Sequence, residues 1–551
     1  MKKQIFPIMI MAVVCSLGLV ACAPPAPVAA IPATEAPTAV PATEAPTAVP
    51  ATEVPTAVPV DERRGGTLNV GLMQSLQTLD PHATGAHPTP HIALSMWEGL
   101  FALGAQFEPV GELAESWSPS ADSKSWTINI RQGVKFHNGK ELTAEDVKSS
   151  MERWLKLSPT SKQLATITGV DIASKYTVKL NFSEPIGALL LRVLASDGSK
   201  AVIMPKEIAD DQGTLKEFVG TGPYQFVEYV PDDYVKLVRF EDYTPNVGPS
   251  NNQGGLKHAW VDEITYYIVP EASTRLAALE QGDLDFMVNL PEAEYDRVKV
   301  SSKMQPIILQ PPAYLCMFFN HKQGPLTNLK VRQALVAALD MDLIMKQVKG
   351  KSSMRQVFGG FFPLGTSYSS DEGSAGYYNQ KDPAKAKELL KESGYKNQKI
   401  RILGLQSEEA LMKASTIVAE QLKAAGFNAE LLTYDLATWV AKRAEPTEQE
   451  LFITGGIMTN PIALATNFGG TWPSWYRSDG TDAIFAQMRV APAEADLKAL
   501  VIDLQKAIYE DVAGGWLGFH NIISARGSRV NDPYNTLQLG IPTFYNLYLT
   551  D

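Results

Sequence analysis

Three histidines, His82, His87 and His91, fall within ten residues. Imidazole is a common ligand for zinc, copper and nickel. Their spacing fits no standard zinc pattern, and no cysteine stands near them. They read as ordinary surface histidines, with metal or metal-chelate binding as the alternative. Trp472, Trp475 and Tyr476 place three large rings within five residues. Rings lining a concave site with few polar groups are the usual chemistry of small-molecule binding. Packing inside a core is the competing explanation. Arg355, in the loop before Gly359 and Gly360, could clamp a carboxylate with two N–H groups. A surface role for it is equally open. Tyr314, Thr459 and Asn460 are the neutral hydrogen-bonding groups available nearby.

Reaction chemistry finds no foothold. There is no Gly-x-Ser-x-Gly elbow, no His-Glu-x-x-His and no Walker A loop. Gly350-Lys351-Ser352 looks like a Walker tail, but Met345 stands where the first glycine should be. Without that glycine the phosphate cradle does not form, so the segment reads as a loop after a helix. No catalytic residue, no cofactor and no resident metal are expected. The formal net charge of -11, with no basic stripe, argues against a nucleic-acid partner.

The elements that must position these residues begin after an export segment. Lys2 and Lys3 precede an apolar run over residues 5–20, and Leu19-Val20-Ala21 leads to Cys22. This is a secretory signal over residues 1–21 rather than a spanning helix. An ordinary cleaved signal with an incidental cysteine is the alternative to a lipidated one. Residues 22–60 are a tether, in which PATEAPTAV at 32–40 repeats at 41–49 and, with one change, at 50–58. Such a segment cannot bury a core. Extended, it would reach on the order of 100 Å at about 3.1 Å per residue. Cys316 is then the lone cysteine of the folded body, so no disulfide framework holds it, and its apolar surroundings make it a buried small hydrophobe.

Strands are read at 68–71, 126–130, 176–182, 224–229, 234–240, 264–269 and 284–288, from period-2 alternation and flanking turn residues. A helix is read from His91 to Leu103, and another from Ala272 to Gly282. The second half alternates strands at 400–403 and 429–432 with helices starting at Thr327 or Asn328, at Asp382 and at Ser407. Alternating strands and helices indicate α/β units.

Residues 134–147, VKFHNGKELTAEDV, resemble a signature of the family 5 extracellular solute-binding proteins, the peptide-, oligopeptide- and nickel-binding receptors of ABC importers. Gly65-Gly66-Thr67-Leu68, Leu79-Asp80-Pro81-His82, Gly220-Thr-Gly-Pro-Tyr224, Val331-Arg332-Gln333-Ala334-Leu335 and the helix from Asp382 to Leu390 match further blocks of that family. Leu19-Val20-Ala21-Cys22 is similar to a bacterial lipobox, which implies lipidation of Cys22 and a membrane anchor. The resemblance implies a two-lobed α/β periplasmic-binding-protein-like fold, type II-like, with an extra α/β domain inserted in the first lobe. Lobe I would comprise 61–106, 218–312 and 528–551. The inserted domain would be 107–217 and lobe II 313–527.

It further implies a non-catalytic, monomeric, extracytoplasmic receptor that encloses a small solute between the lobes and delivers it to an ABC permease. His87 or His91 would then face the cleft. One departure stands out. Peptide-binding members neutralise the ligand's α-amino group with an aspartate in the block that corresponds to residues 452–461, and here that block holds no carboxylate. A solute that is amide-bearing, glycoside-like or a blocked peptide, stacked on Trp472, Trp475 and Tyr476, is therefore expected. The alternatives are a nickel-type metal-chelate receptor and a secreted hydrolase on the same fold.

Overall fold

The structure is a computed structural model and describes residues 63–86, 88–164, 166–196, 199–470 and 472–550. Cys22, the signal and tether segments, and His87 lie outside the described residues.

Two sheets organise the chain. The first has seven strands in the order Met304–Ile308, Ile523–Gly527, Phe286–Met287, Thr67–Leu72, Glu263–Ile268, Tyr234–Arg239 and Tyr224–Val230. Thr67–Leu72 runs parallel to both its neighbours, and the last two strands form a hairpin. Helix Ala272–Gln281 ends at Gly282, whose φ of 88° is the left-handed conformation that glycine adopts without strain. The second sheet has six strands, Arg355–Gln356, Gly514–His520, Ala313–Phe319, Leu451–Gly456, Lys399–Leu405 and Asn428–Tyr434. Helices Leu329–Ala337, Met341–Val348 and Glu409–Ala424 bury their apolar faces with Leu315, Ile402 and Ile453. Asn328 and Asp382 cap the helices that follow them, each side chain accepting a backbone N–H.

A smaller antiparallel sheet, Ala114–Pro119, Ser125–Ile130, Thr177–Phe182 and Ile167–Ser174, packs with helix Ala144–Leu157 over its own core of Trp126, Val147 and Trp154. Asp146 accepts from the Thr143 N–H at 2.9 Å, which closes the start of that helix. The helix is fixed to the first lobe by an ion pair out of water. Arg153 donates to both oxygens of Asp80, at 3.0 and 2.5 Å, and both side chains are almost wholly buried. Residues 183–195 of the same segment reach the second lobe. The Gly187 and Ala188 N–H groups donate to the Arg489 and Ala491 carbonyls at 2.8 Å each. A Cβ at Gly187 would come within 1.8 Å of the Ala491 oxygen. Nearby, the buried Arg192 guanidinium donates to the Phe107 carbonyl and the Ser367 hydroxyl and pairs with Glu494.

Two expectations are corrected. The helix read from His91 to Leu103 spans only Thr89–Met96, because Trp97 turns to extended backbone and Phe101–Leu103 pairs as a strand with Pro109–Gly111. Residues 523–527, placed with the second lobe, form a strand of the first sheet between Met304–Ile308 and Phe286–Met287. The chain therefore crosses between sheets at 309–312 and again at 521–522. The two crossings lie side by side as one antiparallel ribbon, with the Leu309 N–H donating to the Ile522 carbonyl at 2.9 Å.

Candidate functional site

A cleft of about 1280 Å³ opens where the two large sheets face each other. Residues at the C-terminal ends of parallel strands form its walls, Leu72 to Gln74 after the first-sheet strand and Ser407 to Ala410 after Lys399–Leu405. That end of an open α/β sheet is where ligands bind as a rule, because loops there converge with helix N-termini. The crossing ribbon supplies the floor through Leu309 and residues 520–524.

Charge is concentrated at the rim and is matched across it. The Lys351 ammonium lies 2.5 Å from Asp296, and Lys349 lies 3.7 Å from Glu292. The Lys351 N–H also donates to Glu292 at 3.3 Å. Glu292 and Asp296 sit between strands of the first sheet, whereas the lysines follow helix Met341–Val348 of the second lobe, so these pairs tie wall to wall. The loop read from Gly350-Lys351-Ser352 is indeed a loop after a helix, and it forms part of the cleft. The floor is different in kind. It presents Asn521, Ser524, Ile522 and the His520 imidazole, which burial and the nearby Lys349 push down to about 4.

The residues singled out from sequence part company here. His91 lines the cleft. Arg355 does not; it donates through Nη1 to the Lys349 and Gly350 carbonyls at 2.9 and 2.7 Å and so holds the rim loop from behind. Tyr314 is buried in the second lobe, stacked on Trp516 at 5.1 Å, and burial pushes its hydroxyl up to about 12. Thr459 and Asn460 lie beyond Ile457, the residue of that block that reaches the cleft; the Asn460 amide donates to the Arg192 carbonyl at 3.3 Å. His82 is fully buried, its Nε2 bonded to the Val202 carbonyl at 2.9 Å.

None of the three rings lines the cleft, and Trp472 and Tyr476 pack in the core of the second lobe. Trp472 lies edge-on to Phe318 at 6.0 Å, with the Arg443 guanidinium over its ring at 4.8 Å. Tyr476 is buried against Phe468 and donates to Asp511 at 2.5 Å. Trp475 meets the Lys322 ammonium at 5.8 Å. Among the described residues that line the cleft there is no Phe, Tyr or Trp. The three rings expected to stack on the solute are therefore not among the groups that face this cleft. The apolar area of Trp472 and Tyr476 is taken up by Phe318, Phe468 and the Arg443 guanidinium, which arrive from other elements. Trp472→Ala is expected to lower the unfolding free energy by about 2–3 kcal/mol, because the ring is half-buried. The folded variant should bind solute as before. Denaturant titration beside calorimetry checks this, and unchanged stability with lost affinity would return the ring to the site.

Sequence reasoning missed Glu292, Asp296, Lys349, Lys351 and His520. Lys349-Gly350-Lys351, two cations about a glycine just past a helix end, was the available signal. Among the described residues no three His, Cys, Asp or Glu side chains gather as a metal-ligand set. No described helix is long and apolar enough to cross a membrane.

Comparison with known proteins agrees with this architecture. The family model for bacterial extracellular solute-binding proteins, family 5 Middle, matches residues 108–473. The chain is 28% identical over 474 residues to the "Probable peptide ABC transporter periplasmic-binding protein y4tO" of Sinorhizobium fredii, covering 82% of this chain and 88% of that protein. It is 27% identical over 487 residues to the glutathione-binding protein GsiB of Escherichia coli K12, covering 84% and 90%. The crystal structure of the ABC transporter substrate-binding protein CtaP from Listeria monocytogenes superposes with a TM-score of 0.77 at 24% identity, over 89% of this chain and all of that one. A two-lobed fold with a cleft between its sheets, and a family match across most of the folded body, make this chain a member of the bacterial extracellular solute-binding proteins, family 5.

Proposed function

We propose that the chain captures a peptide-like solute in the cleft and hands it to the membrane permease of an ABC importer. The observation that carries this reading is the cleft itself. Its volume exceeds the roughly 300–1,000 Å³ of sites for single drug-sized molecules, which suits a short oligomer. Its walls offer ion pairs at the rim and neutral hydrogen-bonding groups at the floor, with aliphatic Leu72, Val288 and Ile457 between them. A peptide presents those three chemistries in alternation. A glycoside-like solute, which seeks aromatic platforms, fits less well. The names of the relatives, a peptide-transporter component and a glutathione-binding protein, point the same way.

The block at 452–461 supplies no carboxylate, so the solute's α-amino group is not anchored there. Calorimetric titration with a pool of tri- to pentapeptides tests both claims. Binding that survives N-acetylation within a few-fold is the expected result. Loss of more than tenfold, about 1.4 kcal/mol, would restore the amino group as anchor, and no binding by any member of the pool would overturn the peptide reading. The receptor is held at the outer face of the membrane by lipid on Cys22, with the tether giving it reach. Diacylation gains about 0.8 kcal/mol per buried CH₂. Cys22→Ser should therefore move the protein from the membrane fraction to the soluble one, and an unchanged distribution would contradict the anchor.

A further inference from the structure

We propose that the crossing at residues 520–524 is itself a recognition element, in which the His520 imidazole and the Ser524 hydroxyl meet an uncharged amide edge of the solute. This rests on the peptide-like reading above and names where within the cleft the amide is read.

Three observations converge on it. The first is position. Gly514–His520 belongs to the second sheet and Ile523–Gly527 to the first, so His520 and Ser524 stand on either side of the point where the chain changes lobe. Both line the cleft. The second is an unmet requirement. Ser524 is wholly buried and its Oγ has no hydrogen-bond partner among the described residues; the same holds for the buried Nδ1 of His520. A buried polar atom without a partner costs free energy comparable to a lost hydrogen bond, and native proteins keep few of them. Two within five residues, both on the floor of one cleft, point to a partner that arrives from outside.

The third is orientation. Ile523 and Ala525 pack into the core with Leu276 and Met287. Successive strand residues face opposite sides, so Ser524 is turned to the other face. The backbone around it is already committed, the Asn521 N–H to the Met354 carbonyl and the Ile522 carbonyl to Leu309. Only the side chains remain free to respond.

The chemistry selects the ligand group. Burial keeps the imidazole neutral at physiological pH, with one ring nitrogen a donor and the other an acceptor. A hydroxyl likewise does both. A neutral donor–acceptor pair complements an amide, which offers one C=O and one N–H, better than it complements an ion. The charge that reaches the imidazole is Lys349, whose ammonium lies 3.7 Å from Glu292. A solute bound to both residues bridges the two lobes at their junction, so each hydrogen bond also fixes the angle between them.

The test uses the full-length protein, the tri- to pentapeptide pool and the best-bound member of that pool. Ser524→Ala should weaken that peptide by about tenfold. A depsipeptide with ester in place of the contacted amide should lose as much on the wild type and nothing further on the variant. His520→Leu should weaken the peptide similarly, and His520→Asn, which keeps a neutral hydrogen-bonding group, should recover part of the loss. In the empty protein Ser524→Ala should leave the melting temperature unchanged or raise it, because no partner is lost. Equal affinity of wild type and variants for a peptide that does bind would overturn this inference alone. So would a clear drop in the melting temperature of empty Ser524→Ala, since the hydroxyl would then have a structural partner. If no peptide of the pool binds the wild type, the peptide-like reading falls and this inference with it.

Discussion

Arg153→Met is expected to lower the unfolding free energy by about 3–5 kcal/mol, the range for breaking a buried ion pair from one side. The variant keeps most of the side-chain length and removes the charge together with the N–H donors to Asp80, His82 and the Gly213 carbonyl. Asp80 is then left 3% exposed without its counter-ion. It retains one hydrogen bond, from the His82 N–H at 3.0 Å, which cannot replace two donors and a full positive charge. His82 Nδ1 loses the Nη1 donor that faces it at 3.2 Å. The pair joins helix Ala144–Leu157 to the segment that leads into the cleft wall, so the loss should appear as cooperative unfolding rather than as a local change. Guanidinium titration with circular dichroism measures it. Adding Asp80→Leu should restore part of the stability, because an apolar pair of similar volume has no charge to strand. A loss below about 1 kcal/mol would mean that Asp80 regains water on substitution, as exposed pairs do.

Acid should begin to destabilise the protein above the range in which carboxylates titrate. His82 is wholly buried. Its Nε2 donates to the Val202 carbonyl, so its Nδ1 is the acceptor that faces Arg153. Protonation would set a second N–H against a guanidinium in a dry site. Burial first, and Arg153 second, push the imidazole down to about 4. The unfolded chain titrates near 6.5, so between these values it takes up a proton that the folded chain refuses. The stabilisation is complete above pH 6.5 and is lost as pH falls through about 4. The gap between these two values corresponds to about 3 kcal/mol. His137, His321 and His520 are also pushed down to about 4, chiefly by burial, and act in the same direction. Denaturation midpoints at pH 7, 5.5 and 4.5 should fall steadily. A flat profile down to pH 4 would show that the buried imidazoles reach solvent in the native state.

Much of the fold was legible because its signals are local. Asn328, Asp382 with Pro383, and Gly282 each punctuate a helix within two residues of where it starts or stops. The Tyr224–Val230 and Tyr234–Arg239 hairpin follows from alternation around Pro231. The cleft was legible only at His91, because its other chemistry is made by distant pairs. Lys351 and Asp296 are 55 residues apart, and Lys351 and Glu292 are 59. Nothing in either segment alone signals the other. The ring cluster was ambiguous in sequence for the same reason. Three aromatic residues within five positions look alike whether a core or a solute covers them, and Arg443 and Phe318, which cover Trp472, lie on other elements. The strand at 523–527 went to the wrong lobe because its sheet is decided by pairing with Met304–Ile308 and Phe286–Met287, both distant in the chain.

The contact at Gly187 bears on how such a receptor opens. The lobes are joined by the ribbon at 309–312 and 521–522, and joined again, well away from it in the chain, where residues 187–188 bond to Arg489 and Ala491 and where Arg192 meets Glu494. A door hung at two points swings only about the line between them. If the lobes part about the ribbon alone, the second hanging must tear, exposing a guanidinium that is 1% exposed on its side chain. If both hold, the axis is dictated, and the rim lysines must travel on an arc about it. The inserted domain is then a piece of the ironwork that sets the swing.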